Sequence, residues 1–222
     1  RLRLYKAAAL GLSQPTAKEI GQVRKEFSES ISHLRKLFRP GRKDKSLRQF
    51  LIEDALAFAF YERGFFQKNT GEFGDAIDSY AQSIWYYRDL SFEANQARSL
   101  NDRAYALAQV GELDEAEMQV ADALQLRRRL GLGYLIALSL NTSGIIATLS
   151  GKTVTAVDHC RMALQIMRRL DQRGAQVMVM RAYAEALRRE AARLPAPGPR
   201  SPAGDGRSRR RTPVHGAAQA PP

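Results

Sequence analysis

The chain has 222 residues, 44% of them hydrophobic, a formal charge of +12 and a single Cys, which allows one domain with appendages or two small ones and enough apolar material for a core. One Cys excludes an intramolecular disulfide and a Cys-based zinc site and fits a reducing compartment. No uninterrupted apolar run nears the roughly 20 residues of a membrane-spanning helix, so a cytoplasmic location without a membrane partner is expected. The charge sits at the ends: residues 1–53 carry 13 Lys and Arg against 5 Asp and Glu, residues 194–222 carry 5 against 1, and the section between is balanced at 17 against 17.

The first segment, residues 1–45, is basic and helical. It starts at Arg1 rather than Met and has no signal-peptide pattern, which leads us to expect an upstream segment of which 1–45 is the end. Ile20, Val23, Phe27, Ile31, Leu34 and Phe38 recur at steps of three and four. Pro15 suits the start and Pro40 with Gly41 the stop, predicting one amphipathic helix of about 23 residues. A competing reading takes residues 18–37 as a helix-turn-helix. The turn Gly is absent, however, and Lys25 and Glu26 occupy the corner. A continuous helix, docked on the helices downstream of it or on a partner helix, is therefore the expectation, with a second helix beginning at Ser46.

Residues 46–193 carry an internal repeat of 40 residues. One shift aligns Gly71, Gly111 and Gly151, then Ala57, Ala97 and Ala137, then Ala76, Ala116 and Ala156. It also aligns Arg88, Arg128 and Arg168 with each other, and Leu90, Leu130 and Leu170 with each other. With Gly at roughly 7% of residues, two further Gly at a fixed offset have a chance on the order of 0.5%, and five columns in one register are not chance. Each copy reads as two helices. In the second, Leu100, Ala104, Leu107 and Ala108 form one helical stripe, and Gly111 ends the helix by taking the left-handed conformation. Glu112, Asp114 and Glu115 open the next helix and Arg127, Arg128 and Arg129 close it, each charge at the favourable end of the helix dipole.

These columns resemble the tetratricopeptide repeat. Its large position is matched by Phe60, Leu100 and Leu140, its small position by Gly64, Ala104, Gly144 and Ala184, and its second-helix Ala by Ala76, Ala116 and Ala156. The aromatic after that Ala becomes Tyr80, Val120 and Cys160. The pattern departs at Arg63, Arg103 and Ser143, at Gln67, Leu107 and Ala147, and where Arg88, Arg128 and Arg168 replace the closing Pro. Six residues beyond the usual 34 add roughly 9 Å of helix, a longer form similar to repeats of kinesin light chains and of bacterial regulators and signalling ATPases. The resemblance implies an all-α, right-handed solenoid of three repeats, capped by a last helix from about Gln176 to Arg193 whose Arg188, Arg189 and Glu190 face solvent.

It also implies a concave wall built from first helices. The ligand-contacting positions carried over are Tyr61, Asn101, Asn141 and Arg181, then Phe65, Tyr105, Ile145 and Glu185, with Lys68 and Arg98 attracting anions at the rim. Asn101 and Asn141 either hold the backbone of an extended peptide or brace adjacent helices. Enzyme chemistry finds no footing. His159 and Cys160 are adjacent on a helix and so point apart, and Cys160 falls at a packing position. No phosphate loop, metal motif or nucleophile elbow is present, so no catalytic residue, metal or cofactor is expected. Residues 194–222, with seven Pro and five Arg, read as a disordered tail. The expected function is peptide or protein binding, as a scaffold or as the sensor arm of a larger bacterial regulator. The alternative is a nucleic-acid-binding transcriptional regulator that uses the basic N-terminal helices, with the repeat array as signal receiver and the basic ends as the nucleic-acid contacts.

Overall fold

The structure, a computed structural model, describes residues 16–38 and 46–193, and among them it contains eight α-helices and no strand. They are α1 (Ala17–Leu37), α2 (Leu47–Asn69), α3 (Phe73–Asp89), α4 (Glu93–Val110), α5 (Leu113–Arg129), α6 (Gly133–Leu149), α7 (Thr153–Arg169) and α8 (Arg173–Ala191). The expected tail, and Pro15, Pro40 and Gly41, lie outside the described residues.

Thr16 begins α1 through a reciprocal cap. Its Oγ1 accepts from the Glu19 N–H at 3.3 Å, while its own N–H donates to Glu19 Oε2 at 2.8 Å. The helix then runs 21 residues straight through Lys25 and Glu26. The helix-turn-helix reading of residues 18–37 is thereby corrected: without a turn residue nothing interrupts the apolar stripe. That stripe docks on the first repeat. Ile31 is buried, Phe27 meets Phe66 at 6.1 Å between ring centroids, and Phe38 meets Tyr86 edge-on at 5.7 Å. Arg24 reaches Glu72 at 2.6 Å. Ser46 caps α2 by accepting from the Gln49 N–H, at the start expected from the sequence.

From Asn69 onward one turn recurs every 20 residues. Gly71, Ser91, Gly111, Gly131, Gly151 and Asp171 all have positive φ, between 49° and 91°. In each turn this residue donates to the carbonyl three back and its successor to the carbonyl five back, as Gly111 does to Ala108 and Glu112 to Leu107. This double bond set satisfies the last carbonyls of the helix. The backbone thus repeats at half the period of the sequence. A turn needs one left-handed residue only, whereas the side chains of first and second helices face different neighbours.

Packing follows the 40-residue columns. Ala76, Ala116 and Ala156 are fully buried, as are Ala57, Ala97 and Ala137. Gly64 and Gly144 admit their partner helices at close range. A Cβ on Gly64 would stand 3.0 Å from two ring carbons of Tyr80, and one on Gly144 would stand 2.5 Å from Cys160 Sγ. The longer second helices end as expected, with Leu90, Leu130 and Leu170 as their C-caps. Each helix packs on the next, and α2 touches α4, α4 touches α6 and α6 touches α8. No comparable approach joins α3 to α5 or α5 to α7. The stack therefore bends toward its first helices (α2, α4, α6 and α8), which form the inner wall of an α-solenoid. Among the described residues no helix is long and apolar enough to cross a membrane.

Candidate functional site

The inner wall centres on Asp102 of α4. The Tyr61 hydroxyl donates to its Oδ2 at 2.7 Å, the Asn101 amide donates to its Oδ1 at 3.4 Å, and Lys68 Nζ stands 3.5 Å from Oδ1. Burial, then the neighbouring Asp102 charge, push the Tyr61 phenol well above its ordinary range, so it stays protonated and can donate to Asp102. Aromatic faces hold the cations in place. The Lys68 ammonium is 4.7 Å from the Phe65 ring centroid and 5.9 Å from that of Tyr105, and the Arg98 guanidinium lies 4.1 Å over Tyr61. Six expected residues, Tyr61, Phe65, Lys68, Arg98, Asn101 and Tyr105, thus meet around one carboxylate.

That carboxylate is tied inward by a buried polar chain. Arg127 of α5 donates to Ser139 Oγ at 2.6 Å and to the Leu135 carbonyl at 2.8 Å. Ser139 of α6 donates to Asn101 Oδ1 at 3.0 Å, and Asn101 leads to Asp102. Arg127 is only 2% exposed, and burial pulls its guanidinium down to about 10. Asn101 therefore spans α4 and α6 with both ends of its amide engaged. Asn141, also buried, leaves its Oδ1 without a hydrogen-bond partner. Ile145 continues the wall half-buried on α6, and Arg181 stands exposed on α8. Glu185 is held by Arg188 and Arg189 at 2.7–2.9 Å, which lowers its carboxyl to about 2.

The sequence does not single out Asp102, Arg127 or Ser139. By residue type Arg127 groups with Arg128 and Arg129 as a helix-end cation, yet only the latter two are exposed, Arg129 pairing with Glu93 at 2.6 Å. The signal is present in the columns: Arg127 aligns with Tyr87 and Met167, both buried. The cap needs a similar adjustment. Arg189 donates to the Thr148 carbonyl at 3.0 Å and Glu190 accepts from Thr153, so these two tie α8 to its neighbours rather than simply facing water.

Elsewhere the side chains pack. Cys160 is fully buried beneath Gly144, and burial pushes its thiol up to about 11, where thiolate is scarce at neutral pH. His159 shares a 2.9 Å hydrogen bond with Ser143 Oγ, and burial lowers its imidazole. The position that departs from the family pattern proves to be a polar tie between paired helices. Arg63 donates to Ser79 at 2.9 Å, Arg103 to Glu115 at 2.6 Å, and Ser143 meets His159.

No family model matches the chain, and no curated protein matches it. Among solved structures it is similar to BtubC (BKLC) from P. vanneervenii, with a TM-score of 0.52, 17% identity, and coverage of 90% of this chain and 88% of that one. At that identity the likeness concerns the fold alone. The chain is, by architecture, an all-helical repeat solenoid.

Proposed function

We propose that the chain is a tetratricopeptide-type scaffold that holds a peptide or protein segment along its inner wall, without enzymatic activity and in the cytoplasm. Its place as the sensor arm of a larger bacterial regulator is part of the same reading. The large, small and Ala columns favour the tetratricopeptide assignment, because they occupy the packing positions that such repeats need.

One observation carries the binding reading: successive first helices present exposed or half-exposed aromatic and cationic groups on a braced base. Phe58, which holds in α2 the repeat position that Arg98 holds in α4, is 54% exposed, Arg98 is exposed, and Phe65 and Tyr105 are half-buried. Their supports, Tyr61, Asn101 and Asp102, are fixed by hydrogen bonds. Preordered aromatic faces offer contact area at low entropic cost, and a guanidinium adds attraction for carboxylates. Asn101, already engaged, serves as a brace, so ligand contact falls to the rings and Arg98. The test is affinity for a partner captured from cell extract by the full chain. Phe58→Ala with Tyr105→Ala should weaken it at least tenfold while leaving the thermal midpoint within about 3 °C. Unchanged affinity would remove the site from this wall.

A further inference from the structure

Among the described residues the last helix, α8, repeats the pattern of the earlier first helices but lacks their cover. In the 40-residue register Ala57, Ala97 and Ala137 are each 0% exposed, while Val177 is 54% exposed. Phe60, Leu100 and Leu140 are at most 4% exposed, against 51% for Met180. Leu107 and Ala147 are nearly closed off, against 44% for Leu187. Ala184, at the small position where Gly64, Ala104 and Gly144 are buried, is exposed. A helix made to end a stack would carry polar residues at these four positions. Here they are Val, Met, Ala and Leu, spaced as one stripe.

We propose that this stripe is a docking site for one amphipathic helix supplied by a partner protein, packed antiparallel on α8 as α3, α5 and α7 pack on α2, α4 and α6. Two features define the occupant. Ala184 aligns with Ala104, which receives Val120 and Ala116 of α5, so the incoming helix needs an Ala followed four residues later by a Val-sized side chain. An antiparallel helix also begins beside the C-terminal end of α8, where Arg188, Arg189 and Arg193 outnumber Glu185, which pairs with the first two, and Glu190, leaving a positive surplus; α4 and α6 have no cation in their last turn. Acidic residues in the occupant's first turn would complement that end, as Glu115 of α5 complements Arg103. The sequence of residues 194–222 does not match this occupant, since its seven Pro leave no Pro-free run of the 17 residues that α5 spans. The site is separate from the inner wall, and neither depends on the other.

The α5 sequence itself is the probe, since Leu113–Arg129 opens with Asp114 and Glu115 and carries Ala116 and Val120. A capped, labelled peptide of that sequence is titrated against the full chain, beside a scrambled peptide and beside the M180E/L187E variant, whose substituted residues are exposed and should not disturb folding. Saturable binding that the variant weakens at least tenfold, and that the scrambled peptide does not show, is the expected result. Absence of binding, or binding indifferent to the variant, would overturn the proposal. So would a sedimenting dimer of the full chain that M180E/L187E dissolves, which would make a second copy the occupant. Binding that appears only after removal of residues 194–222 would likewise assign the face to the chain's own tail and overturn it.

Discussion

The two halves of the array build the same backbone from different side chains. Among the described residues every ring–ring contact lies between Phe27 and Tyr105, and no Phe or Trp occurs after Phe92. The N-terminal half buries Phe60, Tyr61, Tyr80, Tyr86 and Tyr87 in one cluster, with Arg35 and Arg63 guanidiniums 5.1 and 4.9 Å from the Phe60 ring. The C-terminal half packs Leu140, Leu164, Met167 and Val179, with Cys160 where the first repeat has Tyr80. Yet the turns share one backbone, with a left-handed residue and the same two hydrogen bonds in each. The geometry of a repeat is therefore set by its left-handed turns and its small positions, while the large positions need only apolar volume.

The largest test of that contrast is at Phe60. Phe60→Ala should cost about 4 kcal/mol, since it empties the centre of the aromatic cluster, whereas Phe60→Leu should cost about 2 kcal/mol or less, because Leu100 and Leu140 already fill the same column. Denaturant titration of both variants checks it; equal losses would mean that the ring itself, not the volume, holds the first repeat.

Gly144→Ala comes next. The new Cβ would meet Cys160 Sγ at 2.5 Å and the Ala156 carbonyl at 3.3 Å, prying α6 from α7 at a cost of about 2 kcal/mol. Adding Cys160→Ala removes the sulfur, so the double variant should recover part of that loss, and a thermodynamic cycle measures the coupling. Gly111→Val is a different kind of change, since a Cβ there meets nothing within 4 Å and only the φ of 91° opposes it. About 1–2 kcal/mol is expected, with hydrogen exchange accelerating first around the α4–α5 turn.

The smallest expected effect is the most specific. Met167 of α7 and Val179 of α8 hold, one 40-residue period later, the positions of Arg127 on α5 and Ser139 on α6. Arg127→Met with Ser139→Val should therefore stay within about 1 kcal/mol of the native stability, since a buried guanidinium returns little once its desolvation is counted. Partner affinity should fall all the same, because Asn101 loses the donor that fixes it beneath the wall. A large loss of stability would make the polar chain a structural requirement instead.

Much of this organisation is legible in the amino-acid sequence. The columns Ala57/Ala97/Ala137 and Phe60/Leu100/Leu140 locate the core, because a repeated neighbour imposes a repeated residue. The apolar stripe locates α1, though not its Thr16–Glu19 cap, and Ser46 locates the start of α2, since capping chemistry is local. The 20-residue turn period is hidden, because Ser91 and Asp171 adopt a left-handed backbone without being Gly. Asp102 as a hub is hidden for another reason. It occurs once, with Glu62 and Thr142 in the same column, so no repetition marks it. Arg127 looks like a surface cation by its residue type, and only its column mates reveal an inward position.

The central claim, that the inner wall binds, is tested most directly by two aromatic residues of the first repeat with nearly equal exposure on opposite sides. Phe58 on α2 is 54% exposed and Trp85 on α3 is 52% exposed. A benzoylphenylalanine placed at either position photo-crosslinks whatever lies against it in cell extract. The account predicts a discrete crosslinked partner from position 58 and none from position 85. The same partner captured from 85 and not from 58 would contradict it.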